Sequence, residues 1–393
     1  MNDEKNKKET VNKDSKQILI SAGGTGGHMF PAEALARDLI GRGYRVALAT
    51  DIRGRKYEPF ADGIPVYVLK SGSLKSGILS KFGTLISLAL GTLQAKSLVR
   101  KLKPAVVIGF GGYPSFPAVY AAQKARVATI IHEQNAVLGK ANAVLAKRAD
   151  RIALSWPKVG GIDESDAVRA VIVGNPVRPD IAALYNQPYP AIEQDGALRI
   201  FVIGGSQGAS VFSDVLPKAL DQLSKEHKAR LEIVQQCRAE DIDRVREAYG
   251  QSGIRATLAP FFKDVSTHLG HAHLVIARSG AGTVAEVTTA GRPAIFVPYP
   301  HHADQQQKHN ADTVADVGGA WVMTQDGFTV EALLTRIETF LQNPETLFRA
   351  AENARTCGKP DAARRLGNLV TALASGWDKE ASKAYDLTQG RND

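Results

Sequence analysis

Cysteine is almost missing from this 393-residue chain, with only Cys237 and Cys357 present. Two such distant thiols form neither a CxxC pair nor a zinc pattern, so a disulfide-stapled fold is excluded and a reducing compartment is implied. Long apolar runs are absent too, and the opening MNDEKNKKETVNKDSK has no apolar core of the kind a signal peptide needs. Residues 1–16 are therefore expected to be a solvated tail on a cytoplasmic protein. Neither main glycine loop is followed by GK[ST], and neither spells GxGxxG, which sets aside a P-loop NTPase and weakens a nicotinamide-cofactor reading. Asp51, at a strand end, imitates a ribose-binding acid without that fingerprint.

What is present is ordinary globular material, 44% apolar and 23% charged, in a chain long enough for two cores. Charge is unevenly placed. Residues 17–174 carry 21 Lys and Arg against 10 Asp and Glu, whereas 175–393 carry 23 against 26. A basic first half implies that this half meets something anionic: nucleic acid, anionic lipid or a phosphorylated substrate.

Short β-branched runs alternate with helical periods throughout. QILISA (17–22), RVALAT (45–50), PAVVIGF (104–110), VATIIH (127–132), RIALS (151–155) and AVIVG (170–174) read as strands buried on both faces of a parallel sheet. The plan restarts at LRIFVI (198–203), and the two glycine loops open at Gly23 and Gly204, each between a strand and a helix. The fold class is thus α/β, with two doubly wound, Rossmann-like domains facing across a cleft. The proline-rich stretch 174–196 reads as the junction, with a first domain at 17–174 and a second at 175–357. A last helix at about 360–373 is expected to pack back on the first domain, and 377–393 reads as a polar tail. Ligands of such folds bind at the carboxyl ends of the strands.

Glycines after a strand let backbone N–H groups approach an anion at a helix N-terminus. Gly23, Gly24, Gly26 and Gly27 fit that use, as do Gly204, Gly205 and Gly208. A third loop, Ser279–Thr283, precedes a helix that carries Glu286 one turn in. A carboxylate there can accept two ribose hydroxyl bonds, or simply sit favourably on a first helical turn. Gln305, Gln306 and Gln307 follow at a spacing suited to reading sugar hydroxyls.

At these residues the sequence closely resembles the MurG family, the UDP-N-acetylglucosamine:lipid I N-acetylglucosaminyltransferases of bacterial peptidoglycan synthesis. The matching stretches are GGTGGHMFPAEALA, GFGGYPSFPA, HEQNAVLGKAN, GNPVR, GGSQGA, RSGAGTVAE with AGRPAIFVPYP, and QQQKHNA, in the family's order across about residues 17–373. The resemblance implies a GT-B transferase that passes GlcNAc from UDP-GlcNAc to the MurNAc of undecaprenyl-pyrophosphoryl-MurNAc-pentapeptide, with inversion and without a cofactor. It implies that Thr25, Gly26 and Gly27 face the donor across the cleft, that Asn135 contacts the sugar and Arg178 the nucleotide side. Ser206 would bind the pyrophosphate, and Phe262 would frame the uracil with its backbone. Ala281, Gly282, Thr283, Val284, Ala285 and Glu286 would hold phosphate and ribose, and Gln307, with Gln306 beside it, the GlcNAc hydroxyls. Many relatives carry a His where Gln306 stands, so the register of this run departs from the pattern.

His28 follows the first glycine loop, and an imidazole there suits removal of a proton from an attacking sugar hydroxyl. Its competing role is to orient the loop or bind phosphate, and His132 is a second histidine that is either catalytic or structural. Two metal motifs are weighed and set aside. Asp241-Ile242-Asp243 spells DxD but lies in an amphipathic helix with its acids toward water. His268, His271 and His273, with His301 and His302, lack a four-ligand spacing. No metal is expected.

Residues 70–104 contain seven Lys or Arg and no acid. The uncharged run between Lys81 and Lys96 is 14 residues, too short to span a bilayer. The segment reads as a membrane-facing tip of Leu74, Lys75, Ile78, Leu79, Lys81 and Phe82, with residues from Leu85 onward mostly in the core. Without stacking aromatics, nucleic acid fits the charge less well. Expected partners are UDP-GlcNAc, the lipid I acceptor, an anionic membrane surface and a cell-wall synthesis complex, at the cytoplasmic face of the inner membrane. The rival readings are a GT-B enzyme with a small soluble acceptor, a UDP-GlcNAc 2-epimerase, and a silent nucleotide-sugar-binding scaffold.

Overall fold

The computed structural model describes residues 15–58, 60–61, 63–72, 78–193, 196–205, 208–301 and 304–376. The first half holds strands β1 (Gln17–Ser21), β2 (Arg45–Thr50), β3 (Val66–Val68), β4 (Val106–Gly109), β5 (Ala128–Glu133), β6 (Arg151–Leu154) and β7 (Ala170–Ile172). Between them run helices α1 (Gly26–Gly41), α2 (Ile78–Leu102), α3 (Gly112–Lys124), α4 (Lys140–Ala146) and α5 (Glu164–Ala167). A short helix α6 (Pro179–Ala182) lies in the junction.

The second half holds β8 (Leu198–Ile203), β9 (Leu231–Gln236), β10 (Arg255–Ala259), β11 (Leu274–Ala277), β12 (Ala294–Phe296) and β13 (Ala320–Val322). Its helices are α7 (Ser210–Asp221), α8 (Lys225–Ala229), α9 (Ile242–Gln251), α10 (Val265–His271), α11 (Ala281–Thr289), α12 (Gln306–Ala315), α13 (Val330–Gln342) and α14 (Glu345–Cys357). Helix α15 (Ala362–Ala374) ends the described chain.

Each half is one parallel sheet, in the orders β3-β2-β1-β4-β5-β6-β7 and β10-β9-β8-β11-β12-β13. Strand order reverses between β1 and β4 in the first sheet and between β8 and β11 in the second, and a crevice opens outside such a reversal. Alternation along β1 explains why both faces are covered. Ile18 and Ile20 enter a core with Met29, Leu35 and Leu39 of α1, whereas Leu19 enters the opposite core with Leu98, Val99 and Val119.

Helix α15 belongs to the first of these cores, although it follows the whole second half. Leu366, Leu369 and Val370 are buried beside α1, each contributing about 1.5–3 kcal/mol as a fully buried apolar side chain. Gly367 makes the approach possible, since a Cβ there would lie 2.0 Å from an oxygen of Asp38. Arg42, directly after α1, donates to the Asn368 side chain at 2.8 Å. The chain therefore crosses between the halves twice, and the crossings touch: a Cβ on Gly174 would meet Lys359 at 2.7 Å.

Helix α2 corrects one sequence expectation. Beyond Leu85 the helix is not mostly core, because Ile86, Ala89, Leu90 and Leu93 are exposed and only one face, including Ala95, Leu98 and Val99, is covered. The cause is one-sided packing: the exposed positions recur at helical spacing along the outer side of the helix, while Ala95, Leu98 and Val99 on the other side enter the core with Val119 and Ala122 of α3. No helix among the described residues is long and apolar enough to cross a membrane.

Candidate active site

The loops after β1 and β4 meet at the first reversal point. His28 sits in the first turn of α1, its Nδ1 3.4 Å from the Thr25 hydroxyl. The Nε2–Cε1 edge lies over Gly111 and Gly112, where added Cβ atoms would stand 3.7 Å from Nε2 and 3.4 Å from Cε1. Both glycines have left-handed φ, 79° and 68°, which other residues adopt only with strain. The His28 pKa is held down to about 4, chiefly by burial of the ring and also by the nearby Arg53 guanidinium, against a hydrogen bond involving Gly23. His28 is thus a neutral imidazole near pH 7. Arg53 also lies against Gly24 and is fixed by a 2.7 Å ion pair with Asp51.

Facing this loop across the cleft is the N-terminus of α11. A Cβ on Gly282 would come within 3.9 Å of the Gly27 Cα, so the two helix starts, with their unpaired N–H groups, converge on one space. Glu286 projects there from α11 and pairs with Arg178 at 3.2 Å. Burial raises the Glu286 pKa, and the Arg178 charge and hydrogen bond draw it back. The Arg178 guanidinium lies 5.4 Å over the ring of Phe30 from α1, and Phe30 meets Tyr57 edge-on. One arginine thus touches both halves.

A third junction is formed by residues 133–139, after β5, and α12. Glu133 is buried, which raises its pKa against hydrogen bonds from Gly139, Asn135 and Asn142. Its Oε1 accepts from both the backbone and side-chain nitrogens of Asn135, each at 3.0 Å. Asn310 of α12 is wholly buried and reaches the same loop: its Oδ1 accepts from the Ala136 N–H at 2.8 Å and its Nδ2 donates to Asn135 Oδ1 at 3.1 Å. Gln306 Nε2 points toward Gly139, 3.8 Å from where a Cβ would stand, while Gln307 Oε1 accepts from the Tyr299 N–H at 2.9 Å.

Other expected residues fall differently. Ala281, Gly282 and Thr283 form the partly exposed start of α11, with Val284 and Ala285 buried beneath them. Ser206 lies outside the described residues. Its loop is held from below by Gln236, which accepts from Gly204 N–H and donates to the carbonyls of Gly205 and Pro260. The Phe262 ring is core, packed on Phe201 and His268. His132 has both nitrogens occupied, Nε2 donating to the Gly174 carbonyl at 2.9 Å and Nδ1 accepting from Gln134 at 3.1 Å, which fits an anchor rather than a base. Asp241 and Asp243 pair with Arg244 and Arg246. Among the described residues no group of three or more His, Cys, Asp or Glu converges as a metal site would require. Leu74 and Lys75 also lie outside the described residues, and Ile78, Leu79, Lys81 and Phe82 are described only as backbone of α2.

Sequence reasoning missed Gly111, Gly112, Phe30, Glu133, Asn310 and Arg53 as parts of this site. All but Arg53 lie in the stretches shared with the family, and Gly111 and Gly112 carried a second signal, a glycine pair directly after a strand.

Two parallel sheets whose glycine loops confront each other over a carboxylate–arginine pair define a GT-B glycosyltransferase. Residues 18–154 match the glycosyltransferase family 28 N-terminal domain, and residues 199–366 match its C-terminal domain. The chain belongs to the MurG family within that group. It is 52% identical over 357 residues to a UDP-N-acetylglucosamine–N-acetylmuramyl-(pentapeptide) pyrophosphoryl-undecaprenol N-acetylglucosamine transferase of Rhodospirillum centenum, covering 91% of this chain and 94% of that one. The transferase of the same description from Rhodospirillum rubrum is 47% identical, with 91% and 92% covered. The crystal structure of Acinetobacter baumannii MurG superposes with a TM-score of 0.74 at 30% identity, covering 91% of this chain and 99% of that chain.

Proposed function

We propose that this chain transfers GlcNAc from UDP-GlcNAc to the MurNAc hydroxyl of undecaprenyl-pyrophosphoryl-MurNAc-pentapeptide, making lipid II. The observation that carries the reading is the convergence of the α1 and α11 N-termini on one space bordered by neutral His28 and the Glu286–Arg178 pair. Glu286 accepts the ribose hydroxyls, and Arg178 favours its ionised form against the effect of burial while stacking on Phe30. Residues 281–285 receive the diphosphate at a helix start, where the dipole favours its charge. Ser206 and the backbone at Phe262 serve the pyrophosphate and the uracil, and Asn135, Gln306 and Gln307 the sugar. Thr25, Gly26 and Gly27 close the site from the opposite wall.

The reaction forms the bond from the acceptor oxygen to the anomeric carbon as the bond to the UDP oxygen breaks, inverting that carbon. The acceptor proton passes to a base, and His28 is neutral, with no carboxylate among the described residues hydrogen-bonded to it that would hold it protonated. Charge building on UDP is met by the α11 N–H groups, the kind of fixed dipole that stabilises a leaving oxyanion.

The lipid acceptor requires a membrane-facing surface. The exposed stripe Ile86, Leu90 and Leu93, with Lys96 and Arg100 exposed beside it, extends the proposed tip at 74–82 and suits reversible docking on anionic lipid. We place the protein peripherally, on the cytoplasmic face. The test is transfer of labelled GlcNAc to a lipid I analogue. Lipid II as product supports the reading, and free UDP with only a 2-epimer or no transfer product refutes it.

A further inference from the structure

We infer that Asn310 is a positioning residue that bolts the two halves together and orients Asn135 for the donor sugar, an inference that rests on the reading above for its substrate. Asn310 is fully buried on α12 of the second half, yet two of its three hydrogen bonds reach the first. The third runs from Nδ2 to the Ser279 carbonyl at 3.2 Å, in the loop that leads into α11. One carboxamide therefore joins the loop after β5, the loop before α11, and the helix carrying Gln306 and Gln307.

The orientation of every amide in this chain of bonds is determined. A backbone N–H only donates, so the atom of Asn310 facing Ala136 is its oxygen, and its nitrogen faces Asn135 and Ser279. The Asn310 nitrogen only donates, so the atom of Asn135 facing it is oxygen, which leaves the Asn135 nitrogen to face the Glu133 carboxyl oxygen. Asn135 is thus held from both ends, and its second N–H and remaining lone pair are turned by Glu133 and Asn310 together. A buried network in which each member is satisfied specifies one arrangement, and a single missing donor leaves several groups unpaired.

Two substitutions separate this role from general support. Asn310→Ala removes all three bonds, and Asn310→Asp keeps an acceptor for Ala136 but sets a carboxylate against Asn135 Oδ1 and the Ser279 carbonyl. Both are expected to lower kcat/KM for UDP-GlcNAc about 10- to 100-fold, the size of effect expected when a buried hydrogen bond is broken. UDP alone, held by α11 and its loops, should bind within twofold of wild type. Hydrogen exchange supplies a reading that needs no substrate: in wild type the Ala136 amide should be protected although it lies in a loop, and in Asn310→Ala that protection should be lost.

Free exchange of Ala136 in the wild-type protein would overturn the inference even if neither variant folds. So would a fall in UDP affinity matching the fall in kcat/KM, since Asn310 would then only support the second half. If the wild type transfers no GlcNAc while Ala136 protection still depends on Asn310, the bolt stands and the substrate assignment is what fails.

Discussion

The two walls of the cleft are built from the same parts, a strand, a glycine loop and a helix start, yet they solve different problems. The first-half wall offers backbone and a neutral ring, with His28 lying over Gly111 and Gly112 and, among the described residues, no carboxylate hydrogen-bonded to it, while the Arg53–Asp51 pair braces Gly24. The second-half wall carries formal charge, with Glu286 and Arg178 paired and partly buried. A wall that accepts a proton from an uncharged hydroxyl needs a base that stays unprotonated. A wall that grips a nucleotide needs charge-assisted bonds. The comparison predicts that damage on one side harms rate and damage on the other harms binding.

The largest effect should follow from His28→Ala. Losing general-base help costs about 10²–10⁴ in rate, so kcat should drop by that factor while UDP affinity, measured by calorimetry, changes little. A parallel collapse of UDP affinity would move His28 to the binding wall. Glu286→Ala comes next. Charge-assisted bonds are worth about 1.5–3 kcal/mol, giving roughly a 10- to 150-fold loss of UDP affinity with the fold intact by circular dichroism. Unchanged UDP binding would dissolve the contrast between the walls.

Replacing Ile86, Leu90 and Leu93 together with Ser tests the outer face of the first half. All three are exposed, so folding should survive, and sedimentation with anionic vesicles should fall about tenfold or more given about 1.5–3 kcal/mol for each apolar side chain fully buried. Turnover of a short-chain, water-soluble acceptor should be preserved. Vesicle binding that ignores both the substitution and added salt would place the contact elsewhere.

The smallest effect concerns stability. Burial holds both His132 and His273 at about 4, with Arg199 adding to the effect at His273, whereas in the unfolded chain both protonate near 6.5. Between these values the unfolded chain binds more protons, so stability should fall as pH drops from 6.5 toward 4. The steepest slope is about 1.4 kcal/mol per pH unit for each histidine. Urea midpoints at pH 7, 6 and 5 would show it, and a flat series would mean that the two rings protonate in the folded protein as readily as in the unfolded one.

Much of this was legible in the sequence because the fold repeats one local grammar. Apolar β-branched runs followed by glycines mark the strands and their loops, and Glu286 sits one turn into a helix whose start is equally plain. The cradle of His28 was not legible, because Gly111 and Gly112 reach it only through the pairing of β1 with β4. Asn310 lies in the QQQKHNA stretch shared with the family, but that resemblance does not tell that its side chain crosses to the other half, which depends on how α12 packs on the loop after β5. The face of α2 was misjudged because apolar residues occur on both sides of this helix, and only the packing of α3 and the sheet on one side decides which of them is covered.

Helix α15 gives the order of synthesis a physical meaning. The core that holds α1 against the first sheet is completed by Leu366, Leu369 and Val370, which are made only after the entire second half. At about 5–20 residues per second, the ribosome needs roughly 10–40 s to travel from the junction to those residues. Throughout that interval the emerging first half has its strands and α1 but lacks the α15 part of the cover on that side. The newborn chain must therefore keep an apolar flank from other chains until its last helix arrives, and the half of the enzyme translated first is the half that finishes folding last.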